Sequence, residues 1–237
     1  CNGIPKKSIN YLLNKAGITL QSIDEFCYTM LDNIYPKEEE IEKILNDAKA
    51  LSMHWSVNPE KGFERIQSEI TWNKKYINEY FDWLKSNSIE RDKSFEYDHH
   101  LSHASGAIFT SPFNKSEQII IFTADGRGGF RSSSVNFWDN SKLETLSYSS
   151  SFHSLGYFYA TITKILGFKP ERHEGKITGL AAYGDPKKLI NNFRDFIKCI
   201  NGRIIFEPSD YYLPWFVGIE ELPKYKYILS NFSREDI

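Results

Sequence analysis

Apolar residues first recur at helical spacing at Ile9, Leu12, Leu13 and Ala16, between Pro5 and Gly17. Proline suits a first helical turn and glycine a helix end, so the pattern predicts a helix over 5–16. A short apolar run, 23–30, predicts a buried strand. Ile41, Ile44, Leu45 and Ala48 form one stripe of a charged helix over 38–55. Ile70, Trp72, Tyr76, Ile77, Tyr80 and Trp83 supply a face for a second helix over 66–84. The Lys/Glu-rich charges up to Arg91 read as solvated helix faces. A short strand is predicted at 95–97, with a helix behind it carrying Ala104, Ala107 and Ile108.

The second half changes period. Ile119, Ile120, Ile121 and Phe122 form a continuous apolar run, which predicts a central strand buried on both faces. A glycine-rich turn at 126–129 leads into return strands at 130–138 and 143–149, so 117–149 reads as a β-meander. Leu155, Phe158, Tyr159, Ile162 and Ile165 predict a helix over 154–166, closed by Gly167. Further helices are expected over 177–183 and 187–200, and a strand over 203–206 follows the Asn201-Gly202 turn. Beyond Pro208 the aromatic residues show no clean period. Between Tyr211 and Trp215 they suit either a wall facing an acceptor or a core. The mixture gives an α/β class, divided into a mainly helical region (1–116) and a meander followed by helices (117–237).

The chain has 237 residues, 41% hydrophobic and 15% aromatic, enough for a substantial core. Its 29 Lys+Arg against 31 Asp+Glu leave no basic stripe, so no nucleic-acid partner is expected. No apolar run is long enough to span a bilayer, and the N-terminus has no signal-peptide core. Cys1, Cys27 and Cys199 are odd in number and far apart, which argues against a disulfide framework and for a reducing cytoplasm. Cys27 and Cys199 sit among apolar residues and read as core. The first residue is not Met and the last seven are polar in character, so a piece of a longer protein is expected.

Three stretches carry chemistry. His99 and His103 stand at i, i+4, on one face of a helix, where two imidazoles can share Zn or Fe(II) or can simply be hydrogen-bonded helix histidines. His100 points about 100° away. A carboxylate would complete a facial triad. Asp98 and Asp125 are the candidates; Asp125, at the end of an apolar strand, is preferred, because Asp98 suits a helix cap. Asp125-Gly126-Arg127-Gly128-Gly129 follows that strand. Its glycines permit close approach of backbone N–H groups to an anion, with Arg127 adding a bidentate contact, or they make an ordinary hairpin turn. Gly175, Lys176 and Gly179 open a helix of small residues, with Lys176 placed to meet a phosphate or carbonyl oxygen. Ser154 suits an N-cap, leaving free N–H groups near Gly156.

Taken in order, these stretches resemble the O-carbamoyltransferase family that includes the nodulation protein and the carbamoyltransferases of cephamycin and tobramycin biosynthesis. The matching pieces are Tyr97-Asp98-His99-His100-Leu101-Ser102-His103-Ala104, Ser111-Pro112-Phe113, Asp125-Gly126, Ser154-Leu155-Gly156, Leu166-Gly167-Phe168 and 174–184. The early segment from Pro5 to Asp24 is similar as well. The resemblance implies an actin-like, ribonuclease H-like domain, a mixed sheet flanked by helices, incomplete here. It implies transfer of a carbamoyl group from carbamoyl-adenylate to a substrate hydroxyl, with carbamoyl phosphate and ATP as upstream donors. His99, His103 and Asp125 would hold Fe(II) or Zn. Gly126, Gly128, Gly129, Gly175, Lys176 and Gly179 would line the nucleotide. A fourth ligand beyond Ile237, the first strands before Pro5 and a C-terminal domain that forms carbamoyl-adenylate would lie outside this chain. An ATP-dependent sugar- or acetate-type kinase of the same superfamily is the competing reading, but it would use Mg²⁺ on carboxylates and has no role for two imidazoles. A non-catalytic binding fragment is the third.

Overall fold

The computed structural model describes residues 3–29, 38–55, 58–216, 222–233 and 235–237. The described residues form a mixed α/β structure with three small sheets. Helix α1 spans Lys6–Ala16, and Gly17 closes it at φ 67°. Strand β1 (Phe26–Tyr28) pairs in parallel with β2 (Ser94–Glu96). The expected strand over 23–30 is thus cut to three residues, a 3-10 turn at Leu20–Ser22 precedes it, and Met30 lies outside the described residues. Between the two strands run α2 (Glu38–His54) and α3 (Glu60–Ser86). At 27 residues α3 is far longer than its predicted 66–84, and it reaches about 40 Å at 1.5 Å per residue.

Helix α4 (His99–Thr110) leads into the meander β3 (Ile119–Gly128), β4 (Arg131–Trp138) and β5 (Leu143–Ser150). Strand β3 is an edge strand in the order β3-β4-β5. Its outer residues Ile120 and Phe122 are exposed, so the expectation of burial on both faces fails. One face is covered, by α4, and the alternation of the strand leaves the other open. After α5 (Leu155–Ile165) and α6 (Glu174–Leu180), the predicted helix over 187–200 divides. It is helical as α7 (Ile190–Phe196) and then becomes β6 (Ile197–Ile200), which pairs with β7 (Arg203–Phe206). The reason is the turn. Asn201 (φ 51°) and Gly202 (φ 73°) make a two-residue hairpin with both central residues left-handed, and such a hairpin needs a strand on each side. Helix α8 spans Leu222–Leu229. No helix among the described residues is long and apolar enough to cross a membrane.

The main core joins Ile44, Ala48, Leu51 and Trp55 of α2 to Ile66 of α3, Phe158 and Ile162 of α5, Phe196, Phe206, Tyr212 and Tyr225. Tyr212 and Leu213 are buried there, so the middle of the aromatic segment after Pro208 is core, while Tyr211, Trp215 and Phe216 are only partly buried. The Trp55 indole N–H donates to the Tyr212 carbonyl at 2.8 Å, which satisfies the one polar atom of that ring. A smaller core around Tyr28, Tyr80, Leu84 and Ile89 ties the far end of α3 to β1 and β2. Cys27 and Cys199 are both exposed, against their expected place in the core. Cys27 alternates along β1 with Phe26 and Tyr28, which pack in the smaller core, and so faces away from it.

The end of the meander is tied to β7 and to α2. His153, just after β5, accepts a hydrogen bond from the Phe206 N–H at its Nδ1, and its Nε2 lies 3.3 Å from Asp47 Oδ2 on α2. Where α2 crosses α3, Gly62 allows the helices to touch: a Cβ there would stand 2.6 Å from the Ala48 Cβ. Gly62→Ala should therefore destabilise the fold by roughly 1 to 3 kcal/mol, because the overpacking outweighs the gain in helix propensity. A lower denaturant midpoint at unchanged m would show it; an unchanged or raised midpoint would contradict the close crossing.

Candidate metal centre

The site is built where α4 crosses the end of β3. His100, Ala104 and Ile108, at i, i+4 and i+8, are fully buried. Ala104 and Ile108 pack on Ile121, with Ile119, Trp138 and Leu143 around them. His100 Nδ1 meets Thr123 Oγ1 at 2.9 Å, and that hydroxyl continues to Ser134 Oγ at 2.7 Å. Ser134 accepts from Asn136 Nδ2 at 2.7 Å, and Asn136 Oδ1 accepts from Thr145 at 2.9 Å, so the polar chain crosses all three strands. Burial, together with the nearby His99, pushes the His100 pKa down, so this imidazole is neutral inside the packing.

With that stripe fixed against the sheet, the neighbouring stripe of α4 overhangs the end of β3. His99 Nε2 and His103 Nε2 are 3.0 Å apart. Asp125 Oδ2 lies 3.0 Å from the first and 3.4 Å from the second. Asp125 reaches them through an irregularity in the strand. Between the pairs Ala124↔Ser133 and Gly128↔Arg131, β3 advances four positions while β4 advances two. Such a bulge re-aims side chains at the end of a ladder. Asp125 Oδ1 accepts from the Gly126 N–H at 2.6 Å, which leaves Oδ2 for the histidines. Burial alone would raise the Asp125 carboxyl. The hydrogen bonds from His99, Gly126 N–H and His103 outweigh it and hold the group below the usual carboxylate range. Asp98 is elsewhere engaged. It caps α4 by accepting from Leu101 N–H at 2.9 Å, and its other oxygen binds Arg131 at 3.0 Å.

Glycine makes room for this geometry. A Cβ on Gly128 would stand 2.1 Å from Cδ2 of His99, so the imidazole occupies the space a side chain would fill. A Cβ on Gly156 would stand 2.8 Å from the Gly126 Cα. The first turn of α5 is thus seated on the hairpin backbone, and Ser154, fully buried, donates to the Gly126 carbonyl at 2.6 Å while capping Tyr157 N–H at 3.1 Å. The turn itself is not at 126–129. It falls at Gly129 (φ 59°) and Phe130 (φ 66°), because β3 runs on to Gly128 and the Phe130 ring is drawn into the main core.

Arg127 and Glu69 correct a further expectation. Glu69 is on α3, among charges read as solvated, yet it is buried and accepts from Arg127 at 2.7 Å. Burial pushes the Glu69 carboxyl up, against the pull of Arg127, Arg65 and a backbone hydrogen bond from Phe130. A period-based reading places residue 69 between the apolar positions 66 and 70, and that was the available signal. Gly175, Lys176 and Gly179 lie on α6, which joins α5 through Tyr159 OH and Thr178 Oγ1 at 2.6 Å. All three are exposed, and no hydrogen bond or ion pair among the described residues links them to the histidines or Asp125.

The donor set fits a metal ion. Bonds of about 2.0–2.2 Å to nitrogen and oxygen place neighbouring ligand atoms about 2.9–3.5 Å apart in octahedral or tetrahedral coordination. The three donors found here, two imidazoles and an ionised carboxylate, are spaced at 3.0, 3.0 and 3.4 Å. Two imidazole nitrogens and one carboxylate oxygen form a facial set that suits Fe(II) or Zn and leaves positions open.

The sequence matches the family model described as carbamoyltransferase N-terminus over residues 2–226. A nodulation protein of Sinorhizobium fredii is 30% identical over 208 residues, 84% of this chain and 26% of that protein. An uncharacterised protein of Methanocaldococcus jannaschii is 26% identical over 196 residues, 83% of this chain and 29% of its own length. A second uncharacterised protein of that organism is 34% identical over 138 residues, 50% of this chain and 22% of its length. The chain therefore spans between 22 and 29% of these three relatives. With a match that covers nearly its whole length, the chain belongs to the carbamoyltransferase N-terminus family.

Proposed function

We propose that this chain carries the transfer site of an O-carbamoyltransferase, which moves a carbamoyl group from carbamoyl-adenylate to a substrate hydroxyl. The observation that carries the reading is the convergence of His99 Nε2, His103 Nε2 and Asp125 Oδ2 within 3.4 Å of one another. Family membership supports carbamoyl transfer in general; the adenylate donor, the hydroxyl acceptor and the metal are our reading. In the reaction the acceptor oxygen forms a bond to the carbamoyl carbon, the bond from that carbon to the phosphate oxygen of AMP breaks, AMP leaves with the electron pair, and the hydroxyl proton passes to solvent. Fe(II) or Zn bound by the triad supplies Lewis acidity toward a carbonyl or phosphate oxygen.

The protein's own residues set that site. Asp125, held ionised, binds a cation rather than donating a proton. Neutral His100 fixes the rotation of α4, and Gly128 gives His99 its place. We place the nucleotide over the Gly126–Gly129 hairpin and toward Gly175, Lys176 and Gly179, supported by the seating of α5 on Gly126 and of α6 on α5. The actin-like, ribonuclease H-like fold belongs to the same proposal. The meander β3-β4-β5 with α4 on one face is the part of the structure that supports it.

Metal analysis of the purified chain should find near-stoichiometric Fe or Zn, lost in His99→Ala and His103→Ala and weakened in Asp125→Asn. Asp98→Asn should keep its metal and its cap, since an amide oxygen accepts from Leu101 N–H as well, and should lose about 1 kcal/mol or less through the Arg131 ion pair. Unchanged metal in both histidine variants would exclude them as ligands. Gly128→Ala should weaken metal binding by about 10- to 100-fold, the scale of disturbing a ligand's support, without touching a ligand. Affinity equal to wild type would show that His99 does not need the space. Lys176→Ala should weaken AMP binding by about tenfold at unchanged metal content, as loss of one charged contact does; calorimetry with equal affinities would remove Lys176 from the site.

A further inference from the structure

Two residues beyond Asp125, Arg127 enters a second polar cluster, with Arg65 and Glu69 of α3, Tyr157 of α5 and Trp215. The Arg65 guanidinium lies 5.0 Å from the Trp215 ring centroid. That of Arg127 lies 5.6 Å from the same ring and 5.8 Å from Tyr157. The two rings stack on each other at 4.4 Å. Both cations are therefore held by aromatic faces, which position a guanidinium without neutralising it.

The charges do not balance. Among the described residues Glu69 is the carboxylate that reaches both arginines, and it is bonded to Arg127 at 2.7 Å. Glu171 acts on Tyr157 from an exposed loop. Arg65 shares a hydrogen bond with the Tyr157 hydroxyl, while its Nε is shielded from solvent and has no hydrogen-bond partner. Burial and the repulsion of Arg127 press on the Arg65 cation more than Glu69 relieves it. A guanidinium offers five N–H donors in a planar fork. Two forks thus face one carboxylate, and a buried donor without a partner costs stability unless something else satisfies it. Arg65, Arg127, Tyr157 and Trp215 are each only half-buried, so part of the cluster meets solvent.

We propose that Arg65 and Arg127 form an anion subsite that takes a phosphate group, beside the histidine–aspartate triad. Phosphate matches two guanidinium forks and the surplus positive charge. Tyr157 lies over Gly126, a Cβ there standing 3.9 Å from the ring, so the subsite adjoins the Asp125 hairpin. The inference stands on these residues alone and holds whether or not the triad binds a metal.

The test is calorimetric titration of the metal-free 237-residue chain with inorganic phosphate and, separately, with AMP. Wild type should bind saturably. Arg65→Gln should weaken binding by at least about tenfold, the loss of a charged hydrogen-bonding partner, at an unchanged melting temperature. Arg65→Lys, which keeps the charge but not the fork, should fall between the two. Glu69→Gln removes the competing carboxylate and should tighten binding several-fold. A penalty on AMP alone assigns the subsite to a nucleotide phosphate, and a penalty on phosphate alone to the free ion. Binding by wild type that does not saturate, or equal affinities in wild type, Arg65→Gln and Glu69→Gln, overturns the proposal and leaves the cluster a structural staple.

Discussion

The buried stripe His100–Ala104–Ile108, pressed on Ile121 and Thr123, governs where the polar groups of this site point. On a helix the next stripe is only about 100° away. Once the buried residues choose the sheet, His99 and His103 must overhang the strand end. Ile108 and Ile121 contribute about 1.5 to 3 kcal/mol each by burial. The His100–Thr123 contact contributes less, about 1 kcal/mol, but it selects one rotation among several that the apolar contacts would allow. Packing supplies the strength here, and one hydrogen bond supplies the register.

The hairpin that carries Asp125 is held from three sides by unlike means. Helix α4 needs the missing side chain of Gly128, α5 needs the bare backbone of Gly126 and Gly156, and α3 reaches it by the Glu69–Arg127 pair. The first two are steric and insensitive to salt. The third is a mostly buried ion pair, whose loss of one partner costs several kcal/mol because it strands the other. Gly126 and Gly128, which the sequence offers as part of a phosphate cradle, also let two helices approach the strand.

Much of the frame was legible in the sequence, since apolar periods and glycine or proline stops are local. The pattern placed α1, α2, α4, α5 and the meander within a few residues. The errors have tertiary causes. The extra residues in β3 follow from how Phe130 is buried, which no local pattern records. The stretch 197–200 reads equally as helix or strand, and only its Asn-Gly turn decides it. Glu69 and Arg65 look solvated because their partners, Arg127, Tyr157 and Trp215, are distant in sequence. In the site itself, the spacing of His99 and His103 and the position of Asp125 at a strand end could be read. The supporting contacts of His100, Gly128 and Ser154 could not, because each depends on an element more than twenty residues away.

Phe130 joins the site to the rest of the molecule in a further way. A left-handed backbone at a non-glycine residue costs roughly 1 to 2 kcal/mol, while burial of its ring contributes about 1.5 to 3 kcal/mol. The turn is therefore favourable only while the core is formed, and unfavourable by itself. An isolated β3–β4 ribbon would not hold this shape. Opening of the hairpin then draws the Phe130 ring out of the core, so order around Asp125 and packing at Phe130 are coupled. The geometry proposed for catalysis thus draws part of its order from a ring that lies outside the site.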